Sequence, residues 1–182
     1  DDFNQKNAFP IIQIYEDQYI LFQSYSLFEA LYESPFFWFI NDKNYRNQAM
    51  TNRGKFTEEF SAARLSLVFE NSRVFPNVII TNANGDILGE IDVLVMFADR
   101  AIVVQAKSKK LTITSRKGND QSLQDDFKKA VQDAYDQAYS CSNLLLNADS
   151  IFIDEQGSQI DVSNILFKEI YPICIVSDHY PA

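Results

Sequence analysis

Apolar and polar positions alternate along this chain with several different periods, and each period predicts an element. Residues 11–15 and 19–23 alternate around the polar turn Glu16-Asp17-Gln18 and predict two short strands. Ser26 is placed to cap a short helix through Tyr32, which Ser34-Pro35 would end. The run Phe36-Phe37-Trp38-Phe39-Ile40 is too short to span a membrane and is expected to pack on the main core, with a partner surface as the sharper alternative. From Gly54 onward the pattern becomes regular. Residues 56–70 contain neither Gly nor Pro and predict a helix, with Pro76 closing that segment. Residues 77–81 predict a β-branched strand, Asn82-Ala83-Asn84-Gly85-Asp86 a turn, and residues 87–97 and 101–107 two further strands. Gly118-Asn119-Asp120 opens a long helix whose apolar stripe is Leu123, Phe127, Ala130, Ala134, Ala138, Cys141 and Leu145. A last apolar run, 170–176, predicts a buried strand.

The resulting order is helix, three strands, helix, strand, an α/β arrangement over residues 53–182. Residues 1–52 form an aromatic-rich extension expected to pack on that core. With 182 residues and 46% hydrophobic content the chain can bury one sizeable core. No stretch has the roughly 18 to 20 consecutive apolar residues of a membrane span, and the N-terminus lacks signal-peptide character. A soluble, cytoplasmic protein is expected. The opening Asp1-Asp2-Phe3 and the stop after an apolar run suggest a segment of a longer protein with additional domains. Cys141 and Cys174 stand outside any C-x-x-C pattern and read as small buried hydrophobes in a reducing compartment, with no zinc site.

Charge changes the picture locally. A formal net charge of -9 argues against coating nucleic acid by bulk electrostatics. From 100 to 119, however, lie Arg100, Lys107, Lys109, Lys110, Arg116 and Lys117 with no Asp or Glu among them. Lys109, Lys110, Arg116 and Lys117 are therefore candidate nucleic-acid-binding residues, to be weighed against a solvated charge run.

Candidate chemistry lies in Gly89-Glu90-Ile91-Asp92-Val93-Leu94-Val95 and Ile102-Val103-Val104-Gln105-Ala106-Lys107. Both place charged or polar side chains in runs apolar enough for central strands, where an unpaired charge is costly. If a tight turn at Ala98-Asp99 joins them as an antiparallel hairpin, Phe97 faces Arg100 and Asp92 faces Gln105. Gln105 and Lys107 then share that face. Such an oxygen cluster with a lysine beside it suits phosphodiester hydrolysis. Asp92, the Gln105 side-chain carbonyl and the Ala106 backbone carbonyl would form part of a Mg²⁺ (or Mn²⁺) shell, and Lys107 would orient or deprotonate water or hold a phosphate oxygen.

Asp92, twelve intervening residues and then Gln105-Ala106-Lys107 resemble the Asp…(Glu/Gln)-x-Lys signature of the PD-(D/E)xK nuclease superfamily. Glu90-Ile91-Asp92 before the Gln-x-Lys strand is most similar to the Mrr-type restriction endonucleases and the nuclease-related domain group. The resemblance covers about residues 54–177. It implies a restriction-endonuclease-like α-β-β-β-α-β core, a mixed central sheet flanked by helices, with the N-terminal β-hairpin and helix as an extension. These relatives carry a further glutamate four residues after a glycine on the first core helix, and here Gly54 leads to Glu58. Glu58 shares a helical stripe with Ala62, Leu65 and Phe69, whereas Glu59 shares one with Ala63, Ser66 and Glu70; Glu58 is favoured. Glu90 is a second candidate for metal binding or for holding Lys107.

The function expected is a metal-dependent endonuclease acting on DNA, RNA being an open alternative, within a DNA-processing or defence protein and working as a homodimer where both strands are cut. Its rival is a nuclease-like module that no longer cuts and serves in nucleic-acid binding or protein docking; Gln105 and the acidic body favour that rival. His179 is the single histidine and is given no role. Tyr135 and Tyr139 read as amphipathic core residues, and Gln132 and Gln137 as a polar helical surface.

Overall fold

The computed structural model describes residues 10–180. A two-stranded hairpin, β1 (Ile11–Tyr15) and β2 (Gln18–Leu21), leads into α1 (Ser26–Asn41) and the long α2 (Arg46–Phe69). Then follow β3 (Val74–Thr81), β4 (Ile87–Phe97), β5 (Arg100–Lys107), a single turn α3 (Ile113–Arg116) and α4 (Asp120–Phe127). A π-helical turn, Lys128–Gln132, joins α4 to α5 (Asp133–Leu144), and the chain ends in β6 (Ile151–Ile153), β7 (Gln159–Ile160) and β8 (Glu169–Val176).

Strands β3 to β8 form one mixed sheet in the order β7-β6-β3-β4-β5-β8, with β5 and β8 parallel and the other neighbours antiparallel. One face packs Val78, Ile80, Ile91, Leu94, Ala101 and Val103 against Ala138, Cys141 and Leu145 of α5. The opposite face packs Val74, Val93, Val95 and Val104 against Ala62, Leu65 and Phe69 of α2. The expected α/β fold, a mixed sheet flanked by helices with an N-terminal hairpin, is the fold observed.

Val74 and Val78 sit four apart in β3, and Ile91 and Val93 two apart in β4, yet each pair divides between the two faces. A regular strand keeps such residues on one side. The switch coincides with Asn77, a non-glycine at φ 51 that the β3–β4 pairing skips between Pro76↔Val93 and Val78↔Ile91. The backbone is thus turned over beside Asp92.

Several boundaries differ from expectation. Helix α1 continues through Pro35 to Asn41, so the aromatic run belongs to that helix. Phe36 and Phe37 are half-buried while Trp38 is 61% exposed, so the run is only partly packed. Ser26 makes no capping bond; Tyr25 occupies the cap position. Helix α2 begins at Arg46, ten residues ahead of the helix expected from residue 56. Pro76 lies within β3 rather than ending the preceding segment, at a point where β6 does not yet pair, so its missing N–H is tolerated. The C-terminal strand is the sheet's edge, with Tyr171 and Ile173 exposed, and is not fully buried. In the long helix the π turn shifts the phase: Asp126 faces inward where Phe127 was expected, and the stripe resumes at Ala130, Ala134, Ala138, Cys141 and Leu145. Tyr135 and Tyr139 stack on each other at the exposed surface, outside the core.

Candidate active site

The hairpin of β4 and β5 turns at Ala98, φ 52, and pairs Phe97 with Arg100 through to Val93 with Val104. Paired residues stop one step short of Asp92 and Gln105. Beyond that point a side chain replaces the backbone acceptor: the Ala106 N–H donates to Asp92 Oδ2 at 2.7 Å. With Asn77 turned on its other side, Asp92 sits where the sheet's regular pairing gives way on both flanks.

Gln105 has no accessible surface. Its Nε2 donates to the Glu90 carbonyl at 2.6 Å, which fixes the amide's orientation. Its Oε1 has no hydrogen-bond partner. A buried amide oxygen without a donor costs free energy, of order 1–3 kcal/mol, unless something else satisfies it. Lys107 extends from the same strand with Nζ 3.9 Å from Asp92 Oδ2.

The fourth member comes from α2. Glu58 shares the lining of a 640 Å³ cavity with Ala106 and Lys107, whereas Glu59 points to solvent and pairs with Lys55 at 3.6 Å. Burial pushes the Glu58 carboxyl above the usual glutamate range, and the neighbouring Asp92 charge pushes it further, against the pull of Lys107. Asp92 is likewise raised, first by burial and then by Glu90, against the lowering effects of the Ala106 N–H and Lys107. Glu90 is exposed and acts on both carboxyls from the rim. The structure therefore brings Glu58, Asp92 and Lys107 together, with Glu90 at the rim and Gln105 beside them on β5, its amide tied to the Glu90 carbonyl. Among the described residues no group of three His, Cys, Asp or Glu side chains forms a ready-made metal cage. An oxygen set that includes an amide and a backbone carbonyl suits a hard cation such as Mg²⁺, and the orphaned Gln105 oxygen fits that use.

A model of the nuclease-related domain matches residues 53–175, which span β3 to β5, α5 and nearly all of β8. The chain belongs to the nuclease-related domain family. That family is a PD-(D/E)xK-like nuclease group, in agreement with the resemblance read from Asp92, Gln105 and Lys107. No curated protein and no solved structure matches the chain. Within this nuclease-related domain no helix of the described residues is long and apolar enough to cross a membrane.

The basic loop of this nuclease-related domain is arranged differently from the expected phosphate-binding row. Lys110 has no accessible side chain; it pairs with Glu33 of α1 and lies 4.5 Å from the Tyr32 ring centroid. Lys109 pairs with the buried Asp126 at 2.5 Å, and Arg116 with Glu33 and Asp178 at 3.5 and 3.2 Å. Lys117 is exposed. Asp126 also accepts from the Thr112 N–H and the Ser115 hydroxyl. Sequence reading missed these partners because Glu33 lies 77 residues from Lys110. It also missed the cavity walls supplied by Phe36, Phe37 and Ile40, for which the unbroken aromatic run was the available signal.

Proposed function

We propose that this nuclease-related domain hydrolyses phosphodiester bonds of DNA in a cytoplasmic setting, using Mg²⁺ or Mn²⁺. The observation that carries the reading is the Gln105 Oε1 atom, buried without a partner on β5 two residues before Lys107, next to the strand that carries Asp92. Asp92, Gln105 through Oε1 and the Ala106 carbonyl would hold the cation, with Glu58 and Glu90 as further carboxylates. A divalent cation held by these residues would supply a lowered pKa for water and an offset to charge developing on the phosphate. Lys107 brings its ammonium to a phosphate oxygen or to the attacking water. Glu58, more basic than an exposed glutamate because of its burial, orients that water or accepts its proton. Asp92 is held in place by the Ala106 N–H, and Gln105 by its bond to Glu90.

The test is incubation of the purified protein with plasmid DNA and Mg²⁺ or Mn²⁺ beside the Lys107→Ala variant. Cleavage by the first and not the second is expected; equal products from both would assign cutting to a contaminant. A second reading, a non-cutting docking or binding module, is favoured by the amide at position 105 in place of a carboxylate. Calorimetry separates the two: Mn²⁺ binding that Asp92→Ala removes supports the enzyme, and absence of binding even with DNA present supports the module.

A further inference from the structure

The 640 Å³ cavity beside Glu58 and Lys107 has walls that phosphodiester hydrolysis does not use. Phe36, Phe37 and Ile40 of α1 and Met50 and Gly54 of α2 face it, and the segment 106–112 completes the lining. We infer that this cavity receives an unpaired nucleobase of single-stranded nucleic acid, placed next to the phosphate at the Glu58–Lys107 site. The inference rests on the nuclease reading for the identity of the polymer.

Three observations lead to it. The first is continuity: Glu58 and Lys107 belong both to the site and to the cavity lining, so a group bound against Phe37 and Ile40 is adjacent to the reacting phosphate. In a duplex the bases are stacked inside and reach an apolar pocket only by being flipped out at a cost of about a few kcal/mol, whereas an unpaired base offers its aromatic face directly. A volume of 640 Å³ lies within the roughly 300–1,000 Å³ of small-ligand pockets, a scale that suits single nucleotide units and not a double helix.

The second observation is charge. Duplex binding draws its affinity from Lys and Arg that neutralise a row of phosphates. Around this cavity Lys109 is engaged by Asp126, Lys110 by Glu33, and the Arg53 guanidinium by the Ser108 carbonyl at 3.0 Å. With those cations committed internally, stacking on the apolar wall is the larger source of affinity.

The third is rigidity and room. Arg53 lies 4.7 Å and Lys110 Nζ 5.3 Å from the Phe36 ring centroid, so this part of the wall is held by cation–π contacts before a ligand arrives. Gly54 stands inside the 24-residue helix α2, where glycine is a poor helix former. Its position in the lining explains it: a side chain there would enter the cavity, the nearest neighbour of an added Cβ being Glu58 Oε1 at 3.9 Å.

The experiment measures binding without cleavage. Fluorescein-labelled oligothymidylate of eight nucleotides, a baseless octamer of the same backbone and an eight-base-pair duplex are titrated with the whole protein in EDTA by anisotropy. The single strand is expected to bind about tenfold more tightly than either of the others, the scale of a stacked base. Gly54→Leu and Ile40→Trp, which fill the cavity from opposite helices, should bring the single strand down to the baseless level with an unchanged circular dichroism spectrum. Equal affinity for based and baseless octamers overturns the inference, as do two folded cavity-filling variants that bind like the parent. The parent's three affinities decide the matter even where a variant does not fold. Base-dependent binding without any cleavage in Mn²⁺ would overturn the nuclease reading alone; cleavage without base dependence would overturn the cavity alone.

Discussion

Two polar clusters lie within a few residues of each other in sequence and are built in opposite ways. Around Asp126, every group has an answer: Lys109, the Thr112 N–H and the Ser115 hydroxyl converge on one buried carboxylate, and Glu33 joins Lys110 to Arg116 nearby. Around Asp92 the accounts do not balance. Two carboxyls are raised by burial, a lysine stands 3.9 Å away, and an amide oxygen is buried without a donor. Satisfied networks rigidify a fold, whereas deficits that persist in a well-packed sheet mark places kept open for a ligand. Lys109, Lys110 and Arg116, candidates for phosphate contacts in sequence, belong to the satisfied cluster.

The largest separation between the clusters is expected from Lys107→Ala. If Lys107 touches the reacting groups as proposed, its loss should lower cleavage by at least about 100-fold. The same change should leave the melting temperature within about 4 °C, since a partly exposed ion pair contributes about 1 kcal/mol or less. A collapse of stability in step with activity would remove the contrast.

Asp126→Ala should behave in the reverse sense. It strands Lys109 and two further donors, at an expected loss of about 3 kcal/mol in urea or thermal unfolding. Burial alone would raise this carboxyl, but bonds from Lys109, Ser115 and Thr112 outweigh it and hold the group far below the usual aspartate range. A depressed folded pKa contributes stability that is complete above the unfolded value of about 3.9 and is lost as pH falls below it toward the folded value. The gap between parent and variant should therefore persist at pH 5 and shrink only in strong acid. A gap that closes by pH 5 would sink this assignment.

How much of this was legible beforehand follows from the range of the interactions. The β4–β5 register from Phe97↔Arg100 to Val93↔Val104 follows from a two-residue turn and parity, but the expected pair of Asp92 with Gln105 lies one step beyond the last pair formed, where Asp92 takes the Ala106 N–H instead. Glu58 over Glu59 followed from the stripe it shares with Leu65 and Phe69, which pack on the sheet. The start of the long helix was equally local: Gly118 takes φ 85 and the Asn119 side chain accepts from the Ser122 N–H. What stayed hidden depends on distant partners or short elements. Glu33 reaches Lys110 and Arg116 from another helix, Pro35 is carried inside α1 where local rules would stop it, and β6 and β7 have three and two residues. The turnover at Asn77 had no signal, because asparagine takes φ > 0 without announcing where.

The glutamine at position 105 can be tested against glutamate, the other residue that the Asp…(Glu/Gln)-x-Lys signature admits. Here the amide does two jobs, donating through Nε2 to the Glu90 carbonyl and leaving Oε1 unpartnered. A carboxylate would set an oxygen against that carbonyl at a distance of 2.6 Å. Gln105→Glu should therefore cost about 2 kcal/mol in metal-free protein, from the lost bond and the buried charge. Added Mn²⁺ should restore part of that loss. A variant as stable as the parent without metal would show that the Glu90 tie is dispensable.

The smallest effect has the opposite sign and ties the site's charge to pH. Asp92 is buried and its carboxyl is raised, so ionising it in the folded state is harder than in the unfolded chain. For a raised acid the folded state holds its proton longer, and stability falls as pH rises from the unfolded value of about 3.9 through the folded one. An Asp92→Asn variant carries no charge at this position at any pH, and its amide oxygen can still accept from the Ala106 N–H. It should accordingly match the parent below about pH 4 and exceed it by about 1 kcal/mol at pH 8, in metal-free buffer, while losing Mn²⁺ binding. Thermal melts at the two pH values read this directly. A gain of equal size at both would point to packing instead of charge, and a loss at pH 8 would mean that Lys107, 3.9 Å away, already neutralises the carboxylate in full.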